Sequence, residues 1–241
     1  MMSTYEYILF IDTETSGIPK NLNAPYSAIN NWPYNVQVAW VIYDYTGREI
    51  KSENHYIKAL DFHIDPKSIG VHGLTKEFLI DNGENRSDVF KILSTDLEMY
   101  KPLMVGHFMQ FDFHMLSLGF KRSGIPDLVT ELPKFCTMKA TKIYTRSLLQ
   151  PRLLRLDELY RLLFKKNLTH HHNAYWDARA TGECFFEMMK RGDILSTDID
   201  RQDILISSST NPIKFPKTIM SQIILYVLMA ILVIIGLTIL L

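Results

Sequence analysis

Tyr5 to Gly17 reads YEYILFIDTETSG. The apolar run that ends at Ile11 fits a short, centrally buried strand, and it leads directly into two acids, Asp12 and Glu14. Side chains alternate between the faces of a strand, so residues two apart share a face and both carboxylates point the same way. By itself an Asp-x-Glu pair is weak, since a chain of this size holds about one by chance and a solvated strand end explains it equally well. The Thr15-Ser16-Gly17 that follows adds backbone amides and a hydroxyl in a turn where a phosphate or sugar can approach closely.

Outward from this strand the chain alternates strands and helices, which makes the fold class α/β. Val36–Tyr43 (VQVAWVIY) fits a second strand, Asp44-Tyr45-Thr46-Gly47 a turn, and Glu49–Lys58 a third strand joined as a meander. Ser87 is a good N-cap for a helix whose Val89, Leu93, Leu97 and Tyr100 form one apolar face. Leu103–Gly106 is another short strand, and Asp112 opens a helix that stops near Gly124. Leu153–Phe164 is a leucine-rich helix, and Ala174–Lys190 is a last one, with Gly192 as its stop.

With 241 residues, 47% of them apolar, the chain can bury one substantial core but not two. Cys136 and Cys184 lack metal-site spacing and read as reduced core thiols of a cytosolic compartment. The formal net charge is zero, which counts against a polyanionic partner until its distribution is considered. From Lys134 to Lys166 nine basic residues face only Asp157 and Glu158, a net of plus seven on an otherwise acidic chain. This strip is either an electrostatic footprint for nucleic acid or a solvated helical face.

His172 and Asp177 are five residues apart, about 140° around an ideal helix, so they converge only if His172 lies in the loop before the helix. Asn173 as cap and Ala174 as an early helical residue permit that arrangement. His170 and His171 then face solvent. Asp12, Glu14, Asp112 and Asp177 offer hard oxygen ligands without a thiolate, which selects Mg²⁺ or Mn²⁺, two per site, over zinc. Such a set serves in-line hydrolysis of a phosphodiester. Asp12 would bridge both cations, Glu14 and Asp177 would complete the site of the water-binding one, and Asp112 would hold the second directly or through water. His172 accepts the proton of the attacking water, because its ordinary pKa lies near neutrality.

IDTETSG, HFMQFD and HHNAYWDARAT resemble, in order and spacing, the three motifs of the DEDDh (DnaQ-like) 3′-to-5′ exonucleases, the group of the DNA polymerase III epsilon subunit and the three-prime repair exonucleases. NWPYNVQVAWVIYD and IDPKSIGVHGLTKEFL are similar to two further segments of that family, so the resemblance runs over roughly residues 5 to 190. It implies a ribonuclease-H-like fold with a mixed five-stranded sheet flanked by helices. It also implies metal ligation by Asp12, Glu14, Asp112 and Asp177, with His172 as general base. Glu14, Thr15, His72 and His172 are the implied substrate contacts. The implied activity is release of nucleoside 5′-monophosphates from DNA 3′ ends. An RNA 3′-end exonuclease and a catalytically silent membrane-anchored nucleic-acid-binding adaptor are the alternatives. The chain departs from the family where Phe108 follows His107 in place of the usual Asn, which bears on substrate choice, and Phe111 is a candidate for stacking on a base.

No charged residue occurs from Thr218 to Leu241, and Ile223–Leu241 is almost wholly aliphatic. Nineteen helical residues reach roughly 28 Å, close to bilayer thickness, so a C-terminal transmembrane helix is expected. Lys214 and Lys217 on its N-terminal side place the catalytic domain in the cytoplasm. The expected organisation is an exonuclease domain at 1–194, a linker at 195–217 and a single-pass membrane anchor at 218–241.

Overall fold

The computed structural model describes residues 5–28 and 30–202. Five strands, β1 (Tyr7–Thr15), β2 (Asn35–Asp44), β3 (Glu49–Tyr56), β4 (Leu103–Gly106) and β5 (Lys134–Cys136), form one sheet in the order β3-β2-β1-β4-β5. β1, β2 and β3 pair antiparallel, whereas β4 lies parallel to β1 and β5 parallel to β4, so the sheet is mixed. The helices are α1 (Pro66–His72), α2 (Lys76–Asn82), α3 (Arg86–Tyr100), α4 (Met109–Ser123), α5 (Thr137–Ala140), α6 (Lys142–Thr145), α7 (Leu156–Phe164) and α8 (Ala174–Arg191).

Alternation along β1 sorts the core into two layers. Leu9 and Ile11 join Val89, Phe90 and Leu93 of α3 and Phe113, Leu116 and Phe120 of α4 on one face. Ile8 and Phe10 join Leu159 and Leu163 of α7 and Cys184, Phe185 and Met188 of α8 on the other. Gly182 lets α8 approach the sheet, since a Cβ there would come within 3.1 Å of the Phe10 ring. Both cysteines are free and buried. α3 begins at Arg86 behind Asn85, two residues earlier than the Ser87 cap implies, and α4 begins at Met109, which leaves Asp112 in its first turn. β5 and the short helices α1, α2, α5 and α6 are absent from the residue-by-residue reading.

The membrane anchor expected at 218–241, with most of the linker, lies outside the described residues. Among the described residues no helix is long and apolar enough to cross a membrane. The longest, the 18-residue α8, carries Asp177, Arg179, Glu183, Glu187, Lys190 and Arg191. The fold is therefore the mixed sheet with its flanking helices, and the transmembrane helix is withdrawn together with the membrane localisation inferred from it. The expected linker also starts too early. Residues 196–202 are helical, Ile199 is buried with Ile194 against the α7–α8 layer, and the Gln202 side chain exchanges hydrogen bonds with the Cys136 backbone at 2.9 and 3.3 Å.

Candidate active site

Asp12 and Glu14 continue the parity of Ile8 and Phe10, so their side chains leave β1 toward α8. α8 meets them with Asp177 from its first turn. One carboxylate oxygen from each of Asp12, Glu14 and Asp177 lies within 4.8 Å of the others. Asp177 is fixed from one side only: its Oδ2 accepts the His172 backbone N–H at 2.8 Å, while its Oδ1 is buried with no hydrogen-bond partner. A buried carboxylate oxygen left unpaired opposite two further carboxylates is what a hard divalent cation satisfies, so the cluster fits such a cation.

Asp112 arrives separately, from α4, and stands outside that group of three. Its Oδ1 accepts from the Thr13 hydroxyl at 2.9 Å, which ties α4 to the opposite face of β1. It still belongs to the same electrostatic unit, because among neighbouring charges Asp112 does most to raise the pKa of Asp12. Burial, then repulsion from Asp112, Asp177 and Glu14, holds Asp12 well above the usual carboxylate range. Burial, then Asp177 and Asp112, lifts Glu14 to about 8. Burial outweighs the Thr13 hydrogen bond and lifts Asp112 to about 7. Asp177 rises to about 6, burial outweighing the His172 N–H. Each group resists ionisation because the others are close and water is scarce.

His172 occupies the loop before α8 in a left-handed conformation, φ 62°. Asn173 caps the helix by accepting from Tyr175 N at 3.2 Å. Burial, then His171 and Arg155, lowers the His172 pKa and favours the neutral imidazole. A groove of about 430 Å³ opens beside the carboxylates, with Glu14, Thr15, Ile18, His72 and Phe111 in its lining. The His72 Nδ1 accepts from Leu74 N at 3.0 Å, so its Nε2 carries the proton and donates to the Thr15 carbonyl at 3.3 Å.

The Thr15-Ser16-Gly17 turn is less available to a ligand than its composition suggests. Ser16 spends its amide on the Tyr34 carbonyl at 2.8 Å and its hydroxyl on Tyr34 N at 2.9 Å, and the Thr15 hydroxyl donates to the Gly17 carbonyl at 2.7 Å. His107 is structural. It is half-buried and held between Thr137 Oγ1 and the Leu154 carbonyl at 2.9 and 3.1 Å, and loss of solvent lowers its pKa to about 4. Phe108, which replaces the family's Asn, caps α4 in a left-handed conformation (φ 94°) and stacks on Phe111, with ring centroids 6.1 Å apart.

Sequence reading missed two residues that hold this arrangement, Thr13 and Gln37. Gln37 pairs with Glu14 across the sheet, and its Oε1 accepts the Ala174 N–H at 3.1 Å, which anchors the start of α8 to β2. Its only signal was one polar side chain in an otherwise apolar strand. The basic strip also divides once placed. Lys134 is buried with its Nζ on the carbonyl oxygens of Val129 and Leu132. Arg152 pairs with Glu158, and Arg155 with Asp157.

The family model described as exonuclease matches residues 9–185 of this chain. Among curated proteins, the PolC-type DNA polymerase III of Lacticaseibacillus paracasei is 26% identical over 191 residues, an alignment covering 78% of this chain and 12% of that protein. The chain thus spans about an eighth of that relative's length. Exonuclease I of E. coli in complex with a dT13 oligonucleotide superposes with a TM-score of 0.63 at 18% identity, over 77% of this chain and 41% of that one. A 3′-exonuclease described as specific for the 3′ end of the histone mRNA stem-loop gives 0.61 at 15% identity, over 79% and 84%. At such identities these two likenesses establish the shared ribonuclease-H-like fold.

Proposed function

The chain belongs to the exonuclease family, hydrolases of the 3′-to-5′ DEDDh type, and from that premise we propose that it releases nucleoside 5′-monophosphates from the 3′ ends of DNA. The observation that carries this reading is the convergence of Asp12, Glu14 and Asp177, with Asp177 Oδ1 left unpaired. These three would hold a divalent cation, Mg²⁺ or Mn²⁺, and Asp112 would hold a second. Bound there, such ions supply the positive charge that acidifies the attacking water and neutralises the leaving oxygen.

The remaining chemistry belongs to the protein. His172, kept neutral at physiological pH by its surroundings, takes the proton of the attacking water. The Asp177 carboxylate fixes the His172 backbone through the bond at its N–H, which holds the base beside the cluster. Glu14, Thr15 and His72 line the groove that receives the terminal nucleotide, and the neutral His72 positions the Thr15 backbone. Ile18, 84% exposed at the groove, offers an apolar contact to the last base. Phe111 adds an aromatic one.

The likeness to exonuclease I, whose complex holds a DNA oligonucleotide, supports the choice of DNA. The likeness to the stem-loop 3′-exonuclease supports RNA as the second reading. The convergence of Asp12, Glu14 and Asp177 argues against a silent adaptor. The purified protein, given a 3′-labelled oligonucleotide, is expected to release labelled mononucleotide only when Mg²⁺ or Mn²⁺ is present, and faster from DNA than from matched RNA. Unchanged release by Asp12→Ala would remove the site assignment.

A further inference from the structure

The proposed function uses only the mouth of the molecule and leaves α7 without a role. One side of that helix borders a groove of about 560 Å³ lined by Arg152, Leu154, Glu158, Arg161, Leu162 and Lys165. Three cations there face one acid, and that acid is already committed. Glu158 takes both guanidinium nitrogens of Arg152 at 2.7 and 2.6 Å and the Arg155 N–H at 2.9 Å. Arg161, on α7, and Lys165, the left-handed residue that ends it, both line this groove and are exposed, and no ion pair engages either among the described residues. By contrast Arg48 is paired with Asp44, Arg179 with Glu49 and Arg191 with Glu187.

The head of the groove is tied to the elements that carry the site. Leu154, at its head, is hydrogen-bonded to Thr141 Oγ1 through its N–H and to His107 through its carbonyl. His107 directly follows β4, whose parallel neighbour β1 carries Asp12 and Glu14 just beyond their shared ladder. Arg155 and Asp157, at the start of α7, lie within electrostatic reach of His172. From Glu158 to Phe164 the helix then runs about 9 Å away from that end, with Lys165 just past it, a length of roughly two or three nucleotides.

If a strand's 3′ end occupies the carboxylate site, the rest of it must leave on the 5′ side. We infer that this strand leaves along α7, with its phosphates on Arg161 and Lys165 and its sugars against Leu154 and Leu162. The inference rests on the proposed function and extends it: affinity comes from the strand's backbone and rises with its length. Contacts to phosphate through point charges release counterions, so they are salt-dependent and indifferent to base sequence.

The test uses the full-length protein, Arg161→Gln/Lys165→Gln and, as a control removing equal charge from α2 and α3, Lys76→Gln/Lys91→Gln. Each is given a labelled deoxydinucleotide, too short to reach the groove, and an oligodeoxynucleotide of about 15 residues. The wild type is expected to show a lower KM for the longer substrate. The α7 variant is expected to lose about tenfold of that preference, with the slope of log KM against log salt falling by about 1.4, or 0.7 for each charge removed. An unchanged preference and slope, or an equal change in the control, would overturn the inference. Failure of the wild type to release nucleotide from either substrate would instead overturn the proposed function beneath it.

Discussion

Asp177→Asn separates the stability of the site from its use. Asn keeps an oxygen to accept the His172 N–H, now at 2.8 Å, and turns an amide toward Asp12 and Glu14 where the unpaired Oδ1 stood. In the wild type without metal, burial raises the Asp177 pKa from 3.8 to about 6. The folded state therefore binds more protons than the unfolded one in that interval, and stability is lost as pH rises through it. Above pH 6 the penalty is about 3 kcal/mol, comparable to the repulsion of two full charges 4.8 Å apart at an effective dielectric of 20. At 2–4 °C per kcal/mol for a domain of this size, the variant should melt about 6–12 °C above the wild type at pH 8 in EDTA. The gap should narrow to about half at pH 5 and nearly close by pH 4. Excess Mg²⁺ or Mn²⁺ should stabilise the wild type far more than the variant, and turnover should fall by more than the 10–100-fold typical of losing an outer-shell partner. Scanning calorimetry across pH decides it. A wild type that melts at or above the variant in EDTA at pH 8 would refute the picture of a crowded, metal-dependent carboxylate cluster.

His172→Ala should lower kcat by 10²–10⁴ with little change in oligonucleotide affinity. Because the active form is neutral and its pKa is lowered from 6.5, wild-type kcat/KM should fall as pH drops through a midpoint below 6.5, and stopped-time release assays would expose a midpoint above 7 as contrary. Gln37→Leu strands the Ala174 N–H and loosens the start of α8. It should cost about 1–3 kcal/mol in urea denaturation and lower turnover, whereas native turnover would show that the anchor does not position Asp177. Phe108→Asn replaces a bulky residue at φ 94° with one that tolerates the left-handed region. Its melting point should rise by a few degrees while the ratio of DNA to RNA cleavage shifts, and an unchanged ratio would assign Phe108 to packing alone.

The strand end was legible because alternation is a strict geometric rule: Asp12 and Glu14 had to share a face, and that face had to meet whatever packs there. The His172–Asp177 spacing was equally readable, since only a loop position for the histidine lets the two converge, and the structure places it in that loop. β5 was hidden because three residues, one of them the buried Lys134, carry no periodicity. α1 was missed although its signals are present: Asp65 caps it, Pro66 opens it, and Gly73 closes it at φ 75°. The strip's plus seven counted charges without their partners, and only coordinates show that Lys134 is internal while Arg161 and Lys165 are free of ion pairs among the described residues. Hydropathy alone suggested a membrane span, which the described helices do not provide.

The account turns on whether Asp12, Glu14 and Asp177 act together as a divalent-cation site. Calorimetric titration of Mn²⁺ into the metal-free protein, in parallel with Asp12→Asn and with nucleoside monophosphate present, measures this directly. Saturable uptake by the wild type that is abolished in the variant is the predicted result. Equal heats from both proteins, or none from the wild type, would contradict it.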